Sequence, residues 1–380
     1  SKLQTIGITG TNGKTTTAHL IHRLLGREKS ELISTVNLQQ KRGEKNPVTT
    51  PEAPKIYERA REALDKDKDY LVMEVSSHSL ALNRTAGISF DIAVFTNISR
   101  DHLDFHRDMK EYKETKISLF EKLTPSDTAI LNSDDDFSSS ISSRTPAGVY
   151  TFGLTSSPDM KGLEISTSRE GLRFSVKTKN KIQRVKSPLI GLYNVYNLLA
   201  SFSVGRKIGI PLKSIAKELS SCRGPEGRME KISKPGIGDI FIDFAHTPDA
   251  LSKSLSTLNR LYKETLVLFG CGGESDKGKR PLMGKYAGEL ADHIIITNDN
   301  PKGENPELIM DQIVKGIPEG VKYEKIESRK SAILKGAANI GRKEALLVAG
   351  KGHERFQILG DEWIRYNDSD FIREKLNVIE

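Results

Sequence analysis

The strongest chemical signal in the sequence is a glycine-containing loop, Gly10-Thr11-Asn12-Gly13-Lys14-Thr15-Thr16. Glycines let backbone N–H groups close around phosphate oxygens, and a following helix N-terminus adds partial positive charge. At this spacing the lysine reaches the β- and γ-phosphates, while the next threonine hydroxyl can ligate Mg²⁺. Ile8 replaces the first glycine of the general phosphate-loop pattern, although Gly7 and Gly10 flank it. The loop predicts a site for nucleotide phosphates; the less specific alternative is a glycine turn that caps a helix.

Two further polar clusters stand at the ends of strand-like runs. One is Glu74-Val75-Ser76-Ser77-His78, and the other is Asn97-Ile98-Ser99-Arg100-Asp101-His102-Leu103-Asp104. Ligands of open α/β sheets collect at the carboxyl ends of the strands, so a carboxylate there is well placed for the magnesium of a nucleotide. Taken alone, His102 is more simply a structural residue, and each cluster is an ordinary strand–loop junction. Three strand ends with phosphate or metal chemistry together predict one site.

The elements that must position these residues alternate between short β-rich apolar runs and helical patterns, which is typical of parallel sheets with crossover helices. We predict strands at 5–9, 70–75, 92–97 and 128–132, a helix after the phosphate loop, and a helix over 109–123. After a turn at Glu170-Gly171, Leu172, Phe174 and Val176 follow a period of two. This alternation predicts an antiparallel insertion with one face in water.

A second α/β unit begins near residues 224–227, with strands predicted at 240–244, 265–269, 294–297 and 345–349. We place the boundary near residue 222, which gives domains at 1–222 and 223–380. The predicted fold class is therefore α/β: a phosphate-loop domain with a parallel sheet and an antiparallel insertion, followed by a Rossmann-like domain.

The composition of the chain excludes several classes of protein. The chain has 380 residues, 36% hydrophobic and 28% charged, and no apolar run approaches the ~20 residues of a membrane helix. Two cysteines leave no disulfide framework, and no signal peptide stands at the start, so we expect a cytoplasmic protein. The net charge is +8, but the basic stretches are short and have no aromatic residues between them. This favours binding of anionic small molecules over nucleic acid.

The motifs described above resemble those of the Mur ligase family, ATP-dependent amide-forming enzymes of cell-wall precursor synthesis. The resemblance is colinear through almost the whole chain. It continues in further stretches at residues 49–52, 191–197, 227–230, 243–249, 270–280, 299–301 and 350–354.

The resemblance implies the reaction and the residues of its phosphate chemistry. The family joins a substrate carboxylate to an amino acid through an acyl phosphate, with ATP and Mg²⁺ as cofactors. Thr15 and Glu74 would hold one Mg²⁺ and His102 a second, with Lys14 as a point positive charge. Lys116 stands where the family has a carbamylated lysine that helps to bind the second metal. The alternative for Lys116 is an ordinary lysine on the surface of a helix.

The resemblance also implies the nucleotide site. Asn194 and Asn197 match the segment that contacts adenine, although Asn194 has the alternative role of capping a helix. Asp243 would bind the ribose hydroxyls, and Arg228 and His246 would bind the phosphates.

A third set of residues falls where the family holds a UDP-MurNAc-dipeptide: Thr49, Thr50, Ser76 and Arg84. An arginine there can bind a carboxylate in bidentate fashion. Some members have a glutamine two positions before that arginine, where this chain has Leu82.

The amino-acid pocket implied by the resemblance comprises Ser275, Asp299, Asn300, Lys302, Gly350 and Glu354. Members that add diaminopimelate have arginines at the positions of Ser275 and Lys302. A lysine lacks the planar fork that binds a carboxylate through two hydrogen bonds. We therefore expect a weakened preference for meso-diaminopimelate rather than a complete switch to lysine.

Two alternatives to this function stay open. Family members have an N-terminal domain that binds the uridine nucleotide, whereas this sequence begins just before the phosphate loop. We therefore expect that domain to be absent, either because the chain is truncated or because it acts on a substrate without a nucleotide sugar. The latter would be a ligase like folylpolyglutamate synthetase or a cofactor-tailoring enzyme. The second alternative is a non-catalytic nucleotide-binding subunit. The presence of Lys14, Glu74, His102 and Lys116 argues against it, because a subunit without activity would not need these residues.

We expect a monomer whose partners are a UDP-MurNAc-dipeptide-like substrate and an amino acid, with no nucleic acid or membrane partner.

Overall fold

A computed structural model describes residues 3–38, 49–103, 105–234 and 236–378. Asp104, which ends the predicted cluster after the strand at 92–97, lies outside the described residues. Contacts between Cα atoms separate two compact units, one that ends at Gly224 and one that begins at Pro225. Within the described segments, none of the helices combines the length and the apolar composition needed to cross a bilayer.

The first unit consists of a nine-stranded sheet and its helices. Its elements are β1 (Gln4–Thr9), α1 (Lys14–Leu25), β2 (Ser30–Ile33), α2 (Ala53–Asp65), β3 (Tyr70–Glu74), α3 (Ser77–Ala81), β4 (Ile92–Phe95), α4 (Met109–Glu121), β5 (Thr128–Asn132), α5 (Phe137–Ser142), β6 (Gly148–Gly153), β7 (Met160–Ser168), β8 (Gly171–Lys177), β9 (Ile182–Ser187), α6 (Leu192–Lys207) and α7 (Leu212–Leu219). The strand order is β2-β3-β1-β4-β5-β6-β7-β8-β9. Because β1 lies between β3 and β4, the loops that follow these three strands meet at one edge.

Both faces of the parallel part of this sheet are buried, as its nearly continuous apolar strands predict. Ile6 and Ile8 of β1 belong to one core cluster, whereas Ala93 and Phe95 of β4 belong to the cluster on the opposite face. Gly7 lies between the two isoleucines, and a Cβ atom there would lie 2.8 Å from the ring of Phe90. The side chain of Phe90 therefore fills the space that a larger residue at position 7 would need.

The predicted antiparallel segment extends the same sheet at one edge. β8 pairs antiparallel with both β7 and β9. Leu172, Phe174 and Val176 join the core, while Arg173 and Lys177 are exposed. The alternation in the sequence therefore corresponds to a sheet with one face in water.

The second unit has a six-stranded sheet and a separate hairpin. Its elements are β10 (Glu230–Ile232), β11 (Asp239–Asp243), α8 (Pro248–Asn259), β12 (Glu264–Phe269), α9 (Lys279–Leu290), β13 (His293–Ile296), α10 (Pro306–Val314), β14 (Tyr323–Lys325), α11 (Arg329–Ala338), β15 (Glu344–Ala349), β16 (Phe356–Leu359), β17 (Glu362–Arg365) and α12 (Asp368–Leu376). The strand order is β10-β11-β15-β12-β13-β14, with only β10 antiparallel to its neighbour, and β16 pairs with β17. The predicted α/β fold class is confirmed.

Candidate active site

The phosphate loop joins β1 to α1, and its two glycines have backbone conformations that other residues rarely adopt. Gly10 has φ 147° and Gly13 has φ 87°. A Cβ atom at Gly10 would lie 2.0 Å from Thr96 Oγ1, and one at Gly13 would lie 2.4 Å from Asn197 Oδ1. Gly13 precedes α1 as its N-cap and offers no side chain to the first helical N–H groups. These N–H groups are therefore available to an anion.

The end of β4 fixes the shape of this loop. The Thr11 N–H donates to Asn97 O at 2.8 Å, and the Asn12 N–H donates to Asn97 Oδ1 at 3.0 Å. In return, Asn97 Nδ2 and Thr96 Oγ1 donate to Asn12 O at 2.9 and 2.7 Å. Asn97 opens the second polar cluster identified in the sequence, but neither Asn97 nor Thr96 was assigned an individual role there. The structure shows that both side chains hold the phosphate loop.

A buried carboxylate at the end of β3 faces the start of α1. Glu74 lies opposite Ile8 in the parallel register of β3 and β1. Its Oε2 accepts a hydrogen bond from Thr15 Oγ1 at 2.9 Å, and its Oε1 accepts from the N–H and Oγ1 of Thr35 at 2.8 and 3.2 Å. The pairing of a phosphate-loop hydroxyl with a carboxylate is a hard oxygen donor set of the kind that Mg²⁺ prefers. Sequence reasoning missed Thr35.

Two lysine ammonium groups converge on the carbonyl of Gly10. Lys14 Nζ donates to Gly10 O at 2.9 Å and to Thr11 O at 2.7 Å, and Lys116 Nζ donates to Gly10 O at 3.0 Å. Lys116 Nζ also lies 4.6 Å from the ring centroid of Tyr112. The alternative that Lys116 is a surface lysine is wrong, because only 1% of the residue is exposed.

Burial also changes the chemistry of Lys116. Removal from water, together with the positive charge of Lys14, holds the pKa of Lys116 well below its usual range. A lower pKa increases the fraction of neutral amine, which is the form that reacts with CO₂. The environment of Lys116 therefore suits the carbamylation that the family resemblance implies.

His102 lies in the loop after β4 with an unusual backbone φ of 55°. Its Nε2 is 3.6 Å from Asp101 Oδ2, and its ring centroid is 4.9 Å from that of His78. Burial lowers the pKa of His102 to about 4, and the charges of Lys14 and Lys116 act in the same direction while Asp101 opposes them. The imidazole is therefore neutral at pH 7, as a metal ligand must be.

The described residues contain no ready-made cluster of three or more His, Cys, Asp or Glu side chains for a metal ion. Mg²⁺ commonly keeps several waters and takes other ligands from substrate phosphates. Thr15 and Glu74 fit a site of this open kind, in which the protein supplies only part of the coordination shell.

The predicted adenine segment lies at the start of α6. Asn194 Nδ2 donates to Ile190 O at 2.8 Å, and Asn197 Nδ2 donates to Asn194 Oδ1 at 2.9 Å. The alternative that Asn194 caps the helix is wrong, because Gly191 is the N-cap residue. Asn197 Oδ1 also accepts from Thr17 Oγ1 at 3.3 Å, so Asn197 links α6 to α1 beside the phosphate loop.

The four predicted substrate residues lie together beside β3. The hydroxyl of Thr50 accepts a hydrogen bond from the Ser76 N–H at 3.1 Å, and Arg84 Nη1 donates to Thr50 O at 3.3 Å. Thr49 immediately precedes Thr50 and is half-buried. Arg84 Nε lies 2.9 Å from the exposed carboxylate of Glu52. An anionic ligand can therefore compete with Glu52 for this guanidinium.

In the second unit, Arg228, Asp243 and His246 lie around Phe244, which sequence reasoning did not select. The guanidinium of Arg228 is 4.5 Å from the ring centroid of Phe244, and the His246 ring is also 4.5 Å from it. Asp243 Oδ2 accepts from the Met229 N–H at 2.6 Å. Burial raises the pKa of Asp243 to about 6, and the charge of Arg228 opposes that rise. The three predicted nucleotide residues of this unit thus share one location.

The predicted amino-acid residues stand on three loops that follow β12, β13 and β15. The Gly273 N–H donates to Asn300 O at 2.9 Å, which joins the first two loops. A Cβ atom at Gly350 would lie 2.4 Å from Asp299 Oδ2, so the third loop approaches closely as well. Asn300 Nδ2 donates to Glu354 Oε2 at 2.8 Å. The structure therefore brings the predicted pocket residues together.

Ser275 and Lys302 occupy exposed or half-exposed positions on these loops. Ser275 Oγ donates to Gly272 O at 2.8 Å. Lys302 has φ 52°, and its backbone is held by hydrogen bonds from its N–H to Ile358 O at 3.2 Å and from the Gly360 N–H to its carbonyl at 2.8 Å. The backbone of Lys302 is thus fixed by the β16–β17 hairpin, while its ammonium makes no hydrogen bond or ion pair with the described residues.

A fully buried lysine that was not predicted organises this pocket. Lys351 Nζ donates at 2.8 Å to each of three acceptors, Asn300 Oδ1, Glu354 Oε2 and Phe356 O. Burial raises the pKa of Glu354, and Lys351 opposes that rise. Glu354 Oε1 accepts no hydrogen bond from any residue that the structure describes. One carboxylate oxygen is therefore fixed by the protein and the other remains available to a ligand.

Comparisons with known proteins identify the protein family to which the chain belongs. The profile of the Mur ligase middle domain matches residues 8–205, and that of the Mur ligase glutamate ligase domain matches residues 227–352. The chain belongs to the Mur ligase family, so the resemblance read from its motifs is confirmed.

Within the family, the chain is similar to MurE. It is 39% identical over 381 residues to the UDP-N-acetylmuramoyl-L-alanyl-D-glutamate–2,6-diaminopimelate ligase of Caldanaerobacter subterraneus subsp. tengcongensis, covering 99% of this chain and 78% of the relative. A solved structure of a ligase with that same name superposes with a TM-score of 0.71 at 31% identity, covering 99% of this chain and 79% of the other. MurF from Thermotoga maritima in complex with ADP shares the fold, with a TM-score of 0.67 at 18% identity over 92% of this chain and 76% of MurF.

Proposed function

We propose that this chain is an ATP- and Mg²⁺-dependent ligase that joins an amino acid to the carboxylate of UDP-MurNAc-L-Ala-D-Glu through an acyl phosphate. The observation that carries the proposal is the convergence of Lys14, Glu74 and Lys116 on the phosphate loop. Transfer of a phosphoryl group to a carboxylate brings two anions together, so preorganised positive charge is the main requirement of the catalyst. In this proposal the phosphate loop of the unit that ends at Gly224 binds the phosphates of ATP.

The phosphate loop acts by position and charge. Its glycines, Thr11, Asn12, Thr16 and the N-terminus of α1 would bind the phosphates, and Lys14 would supply a positive charge beside them. Thr15 and Glu74 would hold Mg²⁺, which supplies further charge neutralisation when bound. The hydrogen bonds that Thr96 and Asn97 donate to Asn12 O would hold the loop in its binding conformation before the nucleotide arrives.

Lys116 and His102 form the second metal-binding part of the proposal. The neutral amine of Lys116 attacks CO₂, a C–N bond forms, and the nitrogen releases one proton to give a carbamate with one negative charge. This change replaces an ammonium, which repels a cation, with two oxygen ligands. The neutral imidazole of His102 would complete the protein ligands of that site.

The remaining site residues are assigned by their place in the family pattern, supported by the geometry of each unit. Asn194 and Asn197 would contact the adenine, Asp243 the ribose, and Arg228 and His246 the phosphates. Thr49, Thr50, Ser76 and Arg84 would bind the dipeptide of the second substrate, with Arg84 exchanging Glu52 for a substrate carboxylate.

The amino acid is the least constrained part of the reaction. The Caldanaerobacter relative and the solved structure of the same name are 2,6-diaminopimelate ligases by name. In this chain Glu354 Oε1 and Asp299 offer negative charge to an ammonium group, whereas Lys302 offers a single point charge to a distal carboxylate. We therefore propose a basic amino acid as the substrate, with a weaker preference for diaminopimelate than an arginine pair would give.

A ligation assay tests this function. The protein is mixed with ATP, Mg²⁺ and UDP-MurNAc-L-Ala-D-Glu, and diaminopimelate, lysine, ornithine and alanine are added singly and in competition. We expect ADP release only when all substrates are present, and a basic amino acid in the product. The absence of ADP release with every amino acid would contradict the proposal. A strong preference for diaminopimelate alone would contradict only the interpretation of Ser275 and Lys302.

A further inference from the structure

Most of the net charge of the protein lies in one short segment. Residues 160–187 contain eight basic and two acidic residues, a net charge of +6, whereas the whole chain carries +8. This segment forms β7, β8 and β9, the antiparallel edge of the first sheet. None of the residues assigned to the ligase reaction lies in it.

The register of these strands places five of the cations on one side. In antiparallel strands, residues directly opposite one another share a face of the sheet. Arg173 lies opposite Lys186, Lys177 lies opposite Lys161, and Arg184 lies opposite Ser175. The opposite face carries Leu172, Phe174, Val176 and Val185, which are buried in the core. We call the side formed by Lys161, Arg173, Lys177, Arg184 and Lys186 the basic face.

The charges of the basic face are not neutralised by the protein. None of its five cations forms an ion pair with a residue in the described ranges; the Lys161 ammonium donates instead to the carbonyls of Thr155 and Ser156. The carboxylate of Glu164 accepts a hydrogen bond from Ser175 Oγ at 2.9 Å. Like charges directly opposite in a sheet destabilise it, and this face contains two such pairs. Repulsion within these pairs lowers the free energy of unfolding, and an external anionic surface would relieve that repulsion.

We propose that the basic face binds the surface of an anionic phospholipid bilayer. Three features favour this occupant: the face belongs to an extended sheet, its five cations outnumber the single carboxylate of Glu164, and Ile182 stands 65% exposed directly opposite Lys177. An exposed aliphatic side chain among lysines can enter the headgroup region while the cations contact lipid phosphates. Phe174 points into the core, so this face has no aromatic side chain on which a nucleic-acid base could stack.

Binding of this kind is peripheral and differs from crossing a membrane. We expected no membrane partner because the sequence contains no spanning segment. The strand register changes that expectation, because it places five cations on one face of the sheet. The proposal is independent of the ligase function, because it uses none of the ligase residues.

Vesicle sedimentation tests the proposal. The whole protein is mixed with vesicles of phosphatidylcholine alone or of phosphatidylcholine with phosphatidylglycerol. We expect binding only to the anionic vesicles, and loss of binding at ~1 M salt, where the Debye length falls to ~3 Å. The double variant Arg173→Gln/Lys186→Gln should bind ~20-fold less, because each cation near an anionic surface contributes about fivefold to partitioning. Removing the like-charge pair should leave the thermal midpoint unchanged or higher, so unfolding cannot explain the lost binding.

The matched control is Lys213→Gln/Lys217→Gln, which removes the same charge from exposed positions of α7 in the same unit. This variant should bind within about twofold of the original protein, since its cations lie outside the basic face. Equal losses in the two double variants would overturn the proposal, as would equal binding to neutral vesicles or no binding at all. Binding to a DNA or RNA fragment but not to anionic vesicles would assign the face to nucleic acid and would also overturn it.

Discussion

Two buried lysines, one in each unit, have very different surroundings. Lys351 in the second unit donates hydrogen bonds to three acceptors, and one of these is the carboxylate of Glu354. Lys116 in the first unit donates to a single carbonyl, that of Gly10, and otherwise meets the ring of Tyr112 and the charge of Lys14. The first environment stabilises an ammonium, whereas the second disfavours it.

This difference separates a structural lysine from a reactive one. A buried charge is tolerated when its hydrogen bonds and counter-charge are satisfied, as they are for Lys351. Among the described residues, Lys116 has one hydrogen-bond acceptor and no ion-paired carboxylate, although the charge of Asp101 favours its ammonium form. Becoming neutral, or reacting to form an anion, therefore removes a poorly compensated buried charge. We infer that Lys351 positions Glu354 and Asn300, while Lys116 acts in chemistry.

The largest effect is expected for Lys14→Ala. This change removes the positive charge beside the transferred phosphoryl group and should lower kcat ~10²–10³-fold, the loss typical of a preorganised electrostatic contact. The fold should survive, because the hydrogen bonds from Lys14 Nζ to Gly10 O and Thr11 O lie within its own loop. Phosphate release in the presence of all substrates measures the effect. Lys110→Ala, an exposed position of α4, is the control, and equal turnover in both variants would refute the phosphate-loop assignment.

The next largest effect is expected for Lys116→Ala. If the lysine is carbamylated, the variant loses oxygen ligands for metal and should lose ~10²-fold in kcat, the upper range found when supporting groups of a metal site are changed. Acetate should restore part of the activity by occupying the vacated space. Labelled bicarbonate should give a carbamate ¹³C signal in the original protein and none in the variant. A plain amine at saturating Mg²⁺ and bicarbonate would contradict the assignment.

Lys351→Met tests whether Lys351 has a structural role in the amino-acid pocket. Removing one partner of a buried ion pair typically costs ~3–5 kcal/mol of unfolding free energy. In the protein that remains folded, KM for the amino acid should rise more than KM for ATP, because Glu354 and Asn300 lose their common anchor. Urea unfolding and separate substrate titrations measure these effects. Acetate should not restore this variant, and rescue equal to that of Lys116→Ala would remove the distinction between the two sites.

A smaller effect is expected from restoring the guanidinium groups. Lys302→Arg, combined with Ser275→Arg, should raise the kcat/KM ratio of diaminopimelate over lysine ~10-fold, since a hydrogen-bonded charge pair contributes ~1.5–3 kcal/mol. The variants lie on exposed loops, so little change in stability is expected. Competition between the two amino acids in one reaction measures the ratio. An unchanged ratio would mean that these positions do not face the distal carboxylate.

The last prediction concerns the pH dependence of stability, which involves two histidines of α1 rather than the phosphate loop. Burial lowers the pKa of His19 and of His22 to about 4. The unfolded chain therefore binds more protons between pH 6.5 and about 4, and the free energy of unfolding should fall as pH drops through this window and level off below it. Urea unfolding of His22→Gln should show a shallower dependence. The exposed His293→Gln serves as the control, and equal slopes would contradict the interpretation.

Much of the site was accessible from local patterns. The glycine loop, the clusters that follow β3 and β4, and the alternation in β8 all depend on neighbours in the chain, and their predicted positions agree closely with the structure. The predicted strand at 70–75 ends one residue earlier, and the predicted helix at 109–123 ends at Glu121. The β16–β17 hairpin was not predicted, although Gly360, with φ 58°, marks its turn.

Local sequence patterns were enough to predict the α/β class, the phosphate loop and most candidate residues, because glycine conformations and hydrophobic periodicity depend on a few neighbouring residues. The different roles of the two lysines could not be predicted in this way, because they depend on contacts between distant segments. Lys116 meets Gly10 across 106 positions of sequence, and Lys351 meets Asn300 across 51. Whether a buried ammonium is satisfied depends on the acceptors that distant segments bring to it, and the same dependence sets its protonation and its chemistry.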